Sequence, residues 1–144
     1  MAHITRNNPK LTLEGAKAVL AAAEKRAEEI GVPMNIAVVD DGGHLLAFSR
    51  QDGAKISSAQ IAINKAVSSA IRRQPSGPAM VNGEVDNRIS FALAIGSHAQ
   101  QTPLRGGLPL KVDGICVGAI GASNGSEDQD TDVAQAGVRA LVAN

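Results

Sequence analysis

The sequence predicts an α/β domain of the α+β type, with a central antiparallel sheet and helices packed on it. Three observations carry this. Two pairs of apolar runs flank tight Asp/Gly turns, three segments repeat apolar residues at helical spacing, and the turns are too short for the crossovers a parallel sheet needs. The 144 residues suit one domain, 1–144, with no repeat or composition shift dividing them.

The first element is a helix over Thr12 to Ile30. Leu13, Ala16, Leu20, Ala23, Ala27 and Ile30 recur along one side, while Lys17, Glu24, Lys25, Glu28 and Glu29 occupy much of the other. Thr12 can cap its start, Gly31 suits its end, and Pro33 prevents continuation. "MNIAVVD" and "HLLAFSR" then read as two strands joined through Asp40 to Gly43. A second helix follows, with Ser57 or Ser58 at its start. Ala59, Ala62, Ala66 and Ala70 form its buried stripe beside Ile63 and Val67, with Ile61, Lys65, Ser68 and Arg72 as a neighbouring series. "PSGP" ends it. The stretch from Ala79 to Gln101 has no clear period, and its "ISFALAI" reads as a short strand or a buried helical turn. "LPLKVDGICVGAIGAS" reads as strand, Asp-Gly turn, strand. Gly118 and Gly121 are tolerable there where a neighbour or ligand passes close to the backbone. Ser126 to Gln129 forms an S-x-x-Q capping box, and Val133, Ala134, Gly137, Val138 and Leu141 follow at helical spacing.

Composition excludes several function classes. With two Phe and no Trp or Tyr, the core is aliphatic and stacking platforms for bases are nearly absent. Fourteen basic residues balance fourteen acidic ones, so no strong field steers nucleic acid or an anionic membrane to the surface. No apolar run reaches the length of a membrane span and the start lacks a signal-peptide core, so a cytoplasmic location is expected. The lone Cys116 forms no internal disulfide and reads as a small buried hydrophobe. Low charge with many Ala and Gly residues points to surface hidden in an oligomer.

Anion binding is the most attractive chemistry in the residues themselves. Arg105 precedes Gly106-Gly107, whose amides can face a carboxylate or phosphate while the guanidinium clamps it. Gly125 and Ser126 lead into a helix N-terminus, which also favours an anion. Lys65 and Arg50 join if their elements converge. Metal binding would use Asp40, Asp41 and His44, or Glu127, Asp128, Asp130 and Asp132, although acids at a helix start are favoured by the dipole alone.

The blocks "IAVVDDGGHLLAFSRQDGA", "AINKAVSSA", "RGGLPLKVDGICVGAIGASNG" and "QDTDVAQAG" resemble the GlcG/HbpS-like family, which includes haem-binding and haem-degrading proteins and the C-terminal domain of PduO-type cobalamin adenosyltransferases. The resemblance spans about Leu11 to Leu141. It implies a profilin-like fold, homo-oligomers as large as octamers, and haem as a ligand. Ser49 and Gln51 stand where the family more usually has an acid and Met. If haem is bound, His44 or His98 would supply the iron ligand, with Met34 or Met80 as a second.

Three readings of function follow. The first is an oligomeric small-ligand-binding protein that binds or handles haem. The second is a small catabolic enzyme of isomerase or lyase type: Arg105 and the Gly106-Gly107 amides hold an oxo-acid, Asp40 or His44 removes an α-proton, and Lys65 stabilises the developing charge. The third is a non-catalytic structural partner protein.

Overall fold

A computed structural model describes residues 1–141. The first helix, α1 (Leu13–Ile30), is capped by Thr12, whose hydroxyl accepts from the Gly15 amide at 3.0 Å, and ends at Gly31 in the left-handed region, φ 68°. Its buried stripe is Ala16, Val19, Ala23 and Ala27. Leu13 is exposed, and Leu20 and Ile30 are only partly covered, so the buried face is turned slightly from the one the spacing predicted.

The first hairpin pairs β1 (Asn35–Asp40) with β2 (Leu45–Arg50). Asp40 organises its turn, one carboxylate oxygen accepting from the amides of Gly42 and His44, both at 2.9 Å. After a short 3₁₀ turn comes α2 (Ala59–Arg72), which buries Ala62, Ala66 and Ala70 as the alanine spacing predicted, while Ala59 is half-buried. Ser58 sits at its N-cap without a side-chain bond.

The illegible middle resolves into a two-stranded hairpin, β3 (Met80–Val81) with β4 (Glu84–Val85), and a helix, α3 (Asn87–Gly96). "ISFALAI" is thus helical, but only Ser90 of α3 is buried, so it is not the buried turn expected. Two local signals account for this segment. Asn82-Gly83 turns the hairpin with both residues at positive φ, and Asp86 caps the helix by accepting from the Ile89 amide at 2.9 Å.

The second long hairpin, β5 (Gly107–Val112) and β6 (Ile115–Ser123), turns at Asp113-Gly114. The last helix, α4 (Glu127–Arg139), starts at a complete capping box: Gln129 N–H donates to Ser126 Oγ at 3.2 Å, and Ser126 N–H to Gln129 Oε1 at 2.9 Å. Ser126→Ala should cost about 1 kcal/mol of stability, read from urea unfolding, because a helix-start amide loses its acceptor. An unchanged midpoint would mean that water replaces the cap at no cost.

The strand order is β2-β1-β6-β5, antiparallel throughout. α1 and α4 cover one face over Ile36, Val38, Leu110, Ile120 and Ala122. On the other face α2 lies over Ala37, Val39 and Ala119. Cross-strand register puts Gly107, Gly121 and Ala37 in one row beneath it. A Cβ on Gly121 would collide with the Ala62 carbonyl, and one on Gly107 with that of Lys65. The close neighbour these glycines admit is therefore α2. Among the described residues, no helix is long and apolar enough to cross a membrane. Cys116 is buried and unpaired, its thiol 3.2 Å from the Gly118 carbonyl.

Candidate ligand-binding site

Four of the residues singled out from the sequence meet where β5 begins. Lys65 descends from α2, Gly106 and Gly107 open β5, and Gly125 leads into α4. They meet around a carboxylate of this chain. Lys65 Nζ lies 2.7 Å from Asp130 Oδ2 and donates to the Ala122 carbonyl at 2.9 Å, while the other Asp130 oxygen accepts from Gly125 N–H at 2.9 Å. Both charged side chains are almost wholly buried, at 2% and 4% exposure. Gly106, at φ 121°, passes over the pair. A Cβ there would lie 2.8 Å from Asp130 Cβ and 2.9 Å from Lys65 Nζ.

The anion this cradle suits is thus present as Asp130. Two further amides of the cradle are also engaged: Gly107 N–H donates to Ser76 Oγ at 2.8 Å, and Ser126 N–H serves the capping box. Burial pushes the Asp130 carboxyl above the ordinary carboxylate range, against the opposing pull of the Lys65 hydrogen bond and charge. Sequence reasoning grouped Asp130 with its acidic neighbours at the helix start. The available signal was Lys65 itself, a lysine between Ala62 and Ala66 on an apolar stripe, which requires a buried counter-charge.

The other candidates stand apart from this cluster. Arg105 is exposed and salt-bridged to Glu127 at 3.5 Å. Arg50 lies on β2, the edge opposite β5, and its guanidinium makes no ion pair among the described residues. It lines a cleft of about 560 Å³ at the C-terminal end of α1, with Glu28, Pro33, Gln51 and Asp52. Gln51 has a structural role there, since its amide accepts from Met34 N–H at 2.9 Å and donates to the Glu24 carbonyl at 3.2 Å. A second cleft, about 420 Å³, runs between α1 and α4 past Lys25, Arg26 and Arg139.

Four of the six acids considered as metal ligands are paired with cations, Asp130 with Lys65 as above and three others, while Asp40 serves its own turn amides. Asp132 pairs with Arg26 at 2.9 Å, Glu127 with Arg105, and Asp41 with Lys10 at 2.7 Å. The Lys10 hydrogen bond holds the Asp41 carboxyl below its ordinary range. Among the described residues, no group of three or more His, Cys, Asp or Glu is placed to hold a metal ion.

A haem site needs an iron ligand inside an apolar slot. His44, at the β1–β2 turn, and His98, just beyond α3, are both exposed. Neither cleft is lined by His, Met, Cys or Tyr. Met34 is fully buried in the core and Met80 is exposed on β3. Within one chain, the residues present do not fit an enclosed haem site.

A four-stranded antiparallel sheet, with two helices on one face and one seated on glycines on the other, defines a small α/β class shared by several solved proteins. The chain belongs to the family described as haem degrading protein HbpS-like, which it matches over residues 11–139. It is similar to Klebsiella pneumoniae protein ORFY, with a TM-score of 0.87 at 31% identity over 98% of this chain and 96% of that one. The crystal structure of HbpS gives 0.79 at 29% identity, again over 98% and 96%. Protein GlcG of Escherichia coli is 40% identical over 115 residues, 78% of this chain and 81% of GlcG.

Proposed function

We propose that this chain is an oligomeric small-ligand-binding protein of profilin-like fold, acting as a single domain, with haem as its ligand. The observation that carries the reading is the match, over nearly the whole chain, to a family whose description names haem. Because one chain offers no enclosed slot, the ligand is held at an exposed surface or between copies. Exposed His44 and His98 can approach iron there, while exposed Arg50 is available to a carboxylate group and Arg105 would exchange its Glu127 pair for one.

The buried Lys65 argues against an oxo-acid enzyme. Such an enzyme needs the Lys65 ammonium to face a substrate, whereas that group is buried against Asp130 and the Ala122 carbonyl. No feature of the described surface favours a purely structural partner over a ligand binder.

The test is a titration of the purified chain with haem, followed by absorbance. Saturable one-to-one binding is expected. His44→Ala or His98→Ala, whichever removes the iron ligand, should weaken it by about tenfold or more, equivalent to about 1.4 kcal/mol. Absence of saturable binding would remove haem from the proposal, and binding unaffected by either substitution would remove both histidines.

A further inference from the structure

The β3–β4 hairpin and α3 lie in the chain between α2 and β5. Neither the β3–β4 hairpin nor α3 packs substantially on the four-stranded sheet or on another helix. The two pieces are tied to each other at Ser90, whose hydroxyl accepts from Ala79 N–H at 2.9 Å and donates to the Asp86 carbonyl at 2.7 Å. The result is an ordered arm with unpartnered apolar side chains. Met80 is 56% exposed, Val85 50%, Phe91 58% and Ile95 78%, with Val81 and Leu104 also exposed.

Phe91 is one of only two aromatic residues in the chain, and it is spent on the surface. Met80 and its cross-strand partner Val85, with Phe91 and Ile95 on α3, present roughly 400 Å² of apolar area at about 150–200 Å² per side chain. That is most of the apolar share of one partner's side in a standard interface, where some 800 Å² is buried per partner and about 60% is non-polar. From 79 to 101 the only formally charged residues are Glu84, Asp86 and Arg88. Two acids and one base leave a single excess negative charge. Such a surface neither attracts polyanions nor repels a copy of itself strongly.

We propose that this arm, Met80 to Ile95, is the surface on which a second copy of this chain docks. The inference rests on the oligomer proposed above and names the contact through which it forms. Phe91 and Ile95, one helical turn apart on α3, are the anchors, and the hairpin residues Met80 and Val85 flank them.

The experiment is light scattering and sedimentation of the full chain against Phe91→Glu and Ile95→Glu, with far-UV circular dichroism as the check on folding. Both sites are exposed, and Glu keeps helix propensity, so the spectra should be unchanged. The wild type should be a multimer. Each variant should fall to a smaller particle, with its dissociation constant raised about 100-fold or more. Ile56→Glu, at another exposed apolar position, should leave the assembly intact. A multimeric wild type whose Phe91 and Ile95 variants keep its size overturns this surface while leaving the oligomer reading standing. A monomeric wild type overturns both, and the arm would then belong to another partner. Should the variants misfold, hydrogen exchange of the wild type decides: amides of 80–96 must exchange more slowly at high protein concentration than at low, and equal rates overturn the proposal.

Discussion

Asp130→Ala is expected to destabilise the protein by about 3–5 kcal/mol, because it leaves the buried Lys65 ammonium without its counter-charge. The Gly125 amide also loses its acceptor. The effect is read as the change in unfolding free energy from urea titration. Removing both charges together should be milder. In Lys65→Met combined with Asp130→Asn, no ion remains to be desolvated, and the asparagine oxygen can still accept from Gly125 N–H. The double variant should therefore lie closer to wild type than Asp130→Ala does. A loss below about 1 kcal/mol for Asp130→Ala would show that water or a relaxed backbone replaces the pair, contrary to its burial.

The same pair fixes the sign of a pH effect. Burial raises the Asp130 pKa in the folded state above the unfolded value of about 3.9. Between the two values the folded chain holds a proton that the unfolded chain has released, so stability falls as pH rises. The contribution is fully present below the unfolded value and is lost as pH climbs through the folded one. Wild type should show this negative contribution to the slope above about pH 4, and the double variant should lack it. Identical slopes would place the Asp130 pKa at its unfolded value.

Gly121→Ala should have the next largest effect, about 2–3 kcal/mol or more. Its Cβ would meet the Ala62 carbonyl and lie 2.6 Å from the Ala66 nitrogen, both part of the α2 backbone. A flexible side chain could swing aside, but a helix backbone must lift as a unit and open the contact along Ala62, Ala66 and Ala70. Gly96→Ala is the control. It has nothing within 4 Å and no positive φ, so it should be neutral or slightly stabilising. Equal effects at the two sites would mean that α2 is not seated on the glycine row.

Much of the fold was legible because the information was local. Thr12, Gly31, the Asp40–Gly43 turn, Asp113-Gly114 and the Ser126–Gln129 box act through hydrogen bonds or backbone angles within a few residues, and each occurs where the spacing placed it. The arm also carried local signals at Asn82-Gly83 and Asp86. They were hidden because two-residue strands have no period to read and α3 presents little apolar face to the body.

Neighbours along the chain set α1, α2 and α4, the two long hairpins and the alanine stripe of α2, and composition sets the balance of charge. Strand order and helix seating bring Lys65 and Asp130, 65 residues apart, into one buried pair, lay α2 on Gly107 and Gly121, and separate Arg50, on edge strand β2, from Arg105, just before the opposite edge strand β5. A charge or a glycine has the same local signature whether it faces solvent, a ligand or another part of the chain, and strand order and helix seating settle which of these it meets.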